Sequence, residues 1–500
     1  MIRWIATALL AVCAAVVPAA QGATLHRGLG PAPDTLDIHR AQTLSAFNLL
    51  RDLHEGLLTR DARGRPVPAI AEDWEVTHDG RVWRFRLDPD ARWSDGSPIT
   101  ARDFVRGSER ARRQETASPT AAWLDAVDAI RADGPHRLRI RLTRPVPWFE
   151  ELLTLPVAFP WRGGERTLYS GPFRLVQRVP GARFELVRNE HYREVDAVEL
   201  AGVIWHVTQD PSAELSRFRA GELHITETVP PGRYEWLARE LGDALRVAPY
   251  YGSFYLGFNL SRPPFADRPD LRAALSLAID RDLLAERVLG AGERPAWRLV
   301  PPDLEEWPAE RPEAARLPAA ERLRLARMLL ERSGYDRARP IELRFNSSLS
   351  HRRLAAAVAA MWKQHLGLST RMVHEEWKVF VTNRRQGRIT EIVRGGWIAD
   401  WADPVNFLGN FRSGSPLNYV FFEDREFDRL LARAERLSGR ERMDMLRLAE
   451  TRLLRQHAVI PLYYYVSRHL VHPDVRGWRD NPMDIHLSRW MALEAAGRRE

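Results

Sequence analysis

Apolar and charged side chains alternate through Trp83-Arg84-Phe85-Arg86-Leu87 and again through Leu138-Arg139-Ile140-Arg141-Leu142. A period of two turns one face of an extended chain toward a core and the other toward water, so both segments predict strands. Between them Asp95-Gly96-Ser97-Pro98 marks a turn, and Thr100 followed by Asp103 has the spacing of a capping box opening a helix through Phe104 and Val105. Ser170-Gly171-Pro172 interrupts the chain ahead of a strand from Phe173 to Val179, and Pro180-Gly181 turns it into another from Arg183 to Val187.

The second half changes period. Leu271, Ala274, Leu275, Ala278 and Ile279 recur at helical spacing, Asp280 can cap the next segment, and Gly290-Ala291-Gly292 ends it. Over 351–367, Leu354, Val358, Met361, Trp362 and Leu366 share one helical face, and Gly367 stops it. Helices are expected at about 424–438 and 440–457, followed by a strand from Ile460 to Val466, whereas the proline-rich stretch 295–318 reads as loop or extended coil. Interspersed strands and helices without internal repeats predict an α/β protein, and 500 residues predict two or three packed domains.

One segment breaks its own pattern. VRGGWIADWADP, residues 393–404, begins like a buried strand yet carries Asp400 and Asp403 between tryptophans. Burying a carboxylate without a partner costs several kcal/mol, so Asp400 requires a cation, either from the protein or from a ligand.

Composition removes several chemistries. The opening stretch has Arg3, an apolar run from Ile5 to Val17, a Pro18 break and small residues at Ala20-Gln21-Gly22-Ala23, the layout of a secretory leader cut near residue 22 or 23. Val12 ahead of Cys13 disfavours lipid attachment, and the single cysteine leaves with the leader, so the mature chain offers no disulfide, thiolate metal site or cysteine nucleophile. The net charge of +8 is spread among 66 acidic residues without a basic tail, and nucleic acid is not an expected partner. Lys363 and Lys378, the only lysines, each follow a tryptophan, so a Gly-Lys phosphate loop is impossible. His54-Glu55 and His374-Glu375 start like a zinc-protease motif, but Leu58 and Lys378 stand where its second histidine belongs. Neither a G-x-S-x-G elbow nor a G-x-G-x-x-G turn occurs, and no nucleophile neighbours Asp400 and Asp403. With these signatures absent, neither an enzyme nor a cofactor or metal site is expected.

Several stretches together resemble a family. LRDLHEGLLTRDARGRPVPAIAEDWEVTHDG (50–80), WSDGSPITARDFV (93–105), FNLSRPPFADRPDLRAALSLAIDRDLLAERV (258–288), EEWKVFVTNRRQG (375–387), VRGGWIADWADPVNFL (393–408) and IPLYYYVSRHLVHPDVRGW (460–478) are similar, in this order, to the oligopeptide-binding proteins, solute-binding family 5, of ATP-binding-cassette importers. The resemblance implies a periplasmic-binding-protein-like fold (type II, cluster C) of two lobes with an additional domain. In domain terms it implies lobe I from 24–53, 165–260 and 467–500, the additional domain from 54–164, and the other lobe from 261–466. It further implies a monomer in the periplasm that binds short peptides and docks on membrane permease subunits.

The implied site follows residue by residue. Asp400 matches the aspartate that holds the peptide α-ammonium. Arg394, Arg384 and His351 match groups around its carboxylate, and arginine suits that task because its planar fork takes a carboxylate bidentately. Gly396 and Ile398 match positions whose backbone pairs with the peptide, as in strand addition to a sheet edge. Trp397, Trp377 and Tyr465 match pocket and lid aromatics, and Asn346 completes the set. Asn383-Arg384-Arg385, Phe421-Phe422 and Gln42 depart from the commoner family pattern, so side-chain preference is left open.

Overall fold

Three sheets, each with its own core, organise the chain. The computed structural model describes residues 22–163, 167–304, 307 and 311–494, so the expected leader up to residue 21 lies outside them. Ala71–Val76, Val82–Leu87, Arg137–Leu142 and Val127–Ala132 form, in that spatial order, an antiparallel sheet. Its inward residues Trp83, Phe85, Leu138 and Ile140 pack with Phe104 of the helix Ala101–Arg112. The capping box is present: the Thr100 N–H donates to Asp103 Oδ2 at 2.8 Å.

A second sheet orders Thr24–Gly30, Gly202–Val207, Arg183–Arg188 and Phe173–Val179, parallel at the first pair and antiparallel beyond it. The third holds six strands: Arg294–Pro295, Val459–Leu470, Leu245–Phe258, Ile392–Ile398, Ile341–Asn346 and Thr370–Glu375. Helices Pro269–Leu277, Ala319–Arg332 and Leu349–Leu366 contribute to one core with this sheet, and Arg425–Ala434 and Gly439–Arg455 to another. Gly367 ends Leu349–Leu366 in the left-handed region at φ 72°, as a C-terminal glycine should.

Two long strands join the lobes. Leu245–Phe258 and Val459–Leu470 are antiparallel partners from Leu245↔Leu470 to Gly257↔Val459. At their far ends Thr226 N donates to the Leu470 carbonyl at 3.0 Å and Leu470 N to Thr226 Oγ1 at 2.9 Å, which anchors the ribbon to the amino-terminal lobe. The result is a two-lobed α/β fold with an additional domain. The expected strand from Ile460 to Val466 therefore extends at both ends. Leu245–Phe258 lacked a period-two signal for a physical reason: Tyr251 through Phe258 are buried without alternation, so both faces are apolar. Asp280 caps as expected, its Oδ1 accepting from Leu283 N at 3.0 Å, but the helix continues as a π turn over Leu284–Leu289 before Gly290.

Candidate functional site

The strand Ile392–Ile398 is only partly covered. Along one edge it pairs throughout with Leu245–Phe258, from Phe258↔Ile392 to Gly252↔Ile398. Along the other it meets Ile341–Asn346 at Ile392 and Val393 only. Among the described residues no strand pairs with that edge beyond Val393. Ala399 N donates to the Tyr251 carbonyl at 2.8 Å and Asn259 N to the Glu391 carbonyl at 2.8 Å, so the odd-numbered residues bond to Leu245–Phe258. Alternation then turns the backbone groups of Arg394, Gly396 and Ile398 to the uncovered edge. An uncovered row of N–H and C=O groups is a template for another extended chain.

Asp400 follows this edge. Its backbone N–H donates to Asn406 Oδ1 at 3.3 Å, and the same oxygen accepts from Trp397 Nε1 at 2.6 Å, so Asn406 fixes both the turn and the indole. The Asp400 carboxylate has no ion pair among the described residues. Burial pushes it up to about 6, with the more distant Arg51 guanidinium acting the other way. Arg51, on the helix Leu44–Leu53 of the other lobe, is itself pulled down to about 9 by burial and Arg60 against the pull of Tyr250 and Asp400. Asp403 differs entirely. It is bound by Arg442 at 2.8 Å and accepts from Val405 N at 2.8 Å, a structural capping role.

The opposite charge gathers at the other end of the strand. The Arg394 guanidinium lies 5.0 Å from the Phe254 ring centre and donates to Tyr465 Oη at 3.4 Å. Arg384, on the helix Trp377–Arg385, stacks over Tyr419 at 4.1 Å and is lowered by burial. Neither arginine has a carboxylate partner among the described residues, and Nε of each is buried without an acceptor. His351 tilts against Phe254, and burial followed by Arg394 pulls it down to about 4, so it is neutral at pH 7 and the positive charge here is carried by the arginines. Asn346 Oδ1 is also buried without a donor.

The aromatic residues divide. Tyr465 meets Arg394 and covers Gly396, where an added Cβ would lie 2.8 Å from Tyr465 Oη. Trp397 is partly buried against the core that contains Phe407 and Phe411. Trp377 is 49% exposed and stacks on the buried Phe380, with ring centres 6.2 Å apart. Trp401 turns toward the additional domain and meets Trp123 at 6.1 Å, which brings the Asp400 turn against a second domain. Beyond the residues singled out in sequence, the structure adds Arg51, Tyr250, Asn406 and Tyr419. Arg51 lies inside the quoted run 50–80, but nothing in its local pattern separates it from a surface arginine.

The glycines preceding Trp397 give a direct stability test. A Cβ at Gly395 would run into the buried Tyr255 ring. Gly395→Ala is expected to cost about 1–3 kcal/mol by overpacking, read as a lower urea midpoint with unchanged slope.

Comparison with known proteins identifies the frame that carries these groups. Residues 65–419 match the bacterial extracellular solute-binding proteins, family 5 Middle. The chain belongs to that family. It is 32% identical to the periplasmic oligopeptide-binding protein OppA of Escherichia coli (strain K12), over 97% of this chain and 95% of that one. The unliganded open form of MppA, a periplasmic murein tripeptide binding protein, superposes with a TM-score of 0.84 at 31% identity, over 95% of this chain and 98% of that one. Haemophilus influenzae OppA in complex with RPPGFSPFR superposes at 0.78 with 28% identity, covering 95% and 99%. Family 5 proteins are binding receptors, so this chain is a solute-binding receptor and not an enzyme.

Proposed function

We propose that this receptor captures short peptides with free termini in the cleft between its lobes and delivers them to the permease of an ATP-binding-cassette importer. The observation that carries the reading is the charge layout along one uncovered strand edge. Among the described residues, Asp400 stands at one end with no ion-pair partner, and two guanidiniums without carboxylate partners, Arg384 and Arg394, stand at the other. A peptide zwitterion supplies both missing charges, and its backbone can pair with Arg394, Gly396 and Ile398. Because main chain and termini provide the contacts, side chains are read weakly and many sequences are accepted. Closure of the lobes over the ligand makes the state that docks on the membrane partner. The relatives named periplasmic support the same compartment here, and a monomer satisfies the mechanism.

Mass spectrometry of small molecules released by denaturing the protein purified from its native compartment tests the cargo. A ladder of short peptides with free termini is expected. A single non-peptide solute overturns the reading. A pH dependence follows from Asp400. Its proton competes with the ligand ammonium, and the carboxyl of the free receptor titrates at about 6. Affinity is therefore expected to be greatest near pH 7, to weaken tenfold per pH unit well below 6 as Asp400 holds its proton, and to weaken again above about 8 as the ligand α-amino group loses its own, with protons released on binding near pH 6. Calorimetry in two buffers of different ionisation enthalpy measures that release.

A further inference from the structure

The turn that carries Asp400 is built against the additional domain. Val405 is buried in that domain's own core, with Phe149 and Leu152, and Trp401 packs on the same cluster. The Trp401 ring meets Trp123 edge-on with 6.1 Å between centres, and Trp123 lies 6.5 Å from Phe47 on the helix Leu44–Leu53 of the amino-terminal lobe. Polar contacts cross the same seam. Ala402 N donates to Glu151 Oε2 at 3.4 Å, and Arg60 Nη2 donates to that oxygen at 2.8 Å. The Arg442 guanidinium, which binds Asp403 at 2.8 Å, lies 5.5 Å from the Trp148 ring centre.

Asp400 is therefore placed from two sides. Within its own lobe, Asn406 Oδ1 accepts from its backbone N–H at 3.3 Å. From outside, the next residue of the chain, one Cα spacing or about 3.8 Å away, is seated on the additional domain. Trp401 Nε1 is buried without an acceptor among the described residues, so the ring takes its position from packing. The additional domain is itself fastened to the amino-terminal lobe, because Phe159 shares a core with Ile38, Ala46 and Leu50. The carboxylate of one lobe thus takes its position in part from a domain packed on the other.

Trp123 makes the aromatic contact of this seam. It stands half-buried on the short helical turn Ala121–Leu124, so the ring can be changed without emptying the interior of its own domain. We propose that Trp123 is a positioning residue for the amino-end clamp: it seats Trp401, and Trp401 holds the Asp400 carboxylate at the end of the strand edge. The additional domain then takes part in peptide binding through Trp401. This rests on the peptide reading above. A seam that served packing alone would lose stability when truncated and leave the preference for a free amine as it was.

Calorimetry with trialanine, N-acetyl-trialanine and trialanine amide tests the proposal in the wild type and in Trp123→Ala, Trp123→Leu and Trp123→Phe, each below its thermal transition. In Trp123→Ala the ratio of trialanine to N-acetyl-trialanine affinity is expected to fall about fivefold or more, as for residues coupled through a contact, while the ratio of trialanine to its amide holds. Trp123→Phe keeps an aromatic ring and is expected to restore most of the lost ratio. Trp123→Leu keeps apolar volume without the ring; it carries the same expectation as Trp123→Ala and replaces it if that variant does not fold. An amine ratio that stays at its wild-type value in both overturns the proposal and leaves the peptide reading standing. Equal weakening of all three peptides also overturns it, because the seam would then act on lobe closure as a whole. A wild-type receptor that binds no peptide, or that ignores the acetyl cap, overturns the peptide reading itself.

Discussion

Asp400→Asn is expected to abolish most peptide binding while leaving the free receptor as stable or more stable. The substitution keeps shape and removes only the charge that the ligand ammonium meets. Truncating one partner of a buried charged pair costs about 2–5 kcal/mol of binding. The effect on the free protein has the opposite sign. Burial raises this carboxyl from 3.8 to about 6, so the folded state holds the proton more tightly than the unfolded chain does. The resulting penalty is absent below about pH 4, grows between about 4 and 6, and is complete above 6. By linkage it is at most ~3 kcal/mol at pH 7, and solvent in the cleft reduces it. Thermal unfolding of the free variant checks one sign and calorimetry with a tripeptide the other. A receptor that loses stability and binding together would show that Asp400 is a structural group.

The second large effect lies at the other end of the strand. Arg394→Gln and Arg384→Gln are each expected to lower affinity for a free-acid tripeptide by about 2 kcal/mol or more, and to shrink the difference between that peptide and its C-terminal amide. Among the described residues neither arginine pairs with a carboxylate, so no ion pair there is broken when one is removed. Arg384→Lys should rescue little. A lysine cannot reproduce the stack over Tyr419 at 4.1 Å or the planar fork. A ratio of acid to amide affinity that stays unchanged in both Gln variants would move the ligand carboxylate elsewhere.

Much of this arrangement was legible because local signals act locally. The alternation at Trp83–Leu87, the capping box at Thr100 and Asp103, and the glycine stop at Gly367 each specify their element through neighbours in sequence. Asp400 was legible for a different reason: a charge among aromatic residues contradicts its own surroundings. Leu245–Phe258 was not legible, since a strand buried on both faces shows no alternation. Nor was Arg51, one arginine among 74 basic residues, which only the fold brings to bear on Asp400. His351 shows the limit of residue type, because burial leaves neutral a group whose position suggested a cation.

The central claim is that the receptor clamps both ends of a peptide. Calorimetry at pH 7 with trialanine, N-acetyl-trialanine and trialanine amide tests it most directly. The geometry at Asp400, Arg384 and Arg394 predicts tight binding of the free peptide and a loss of at least 30-fold on capping either end. Equal affinity for all three would contradict it.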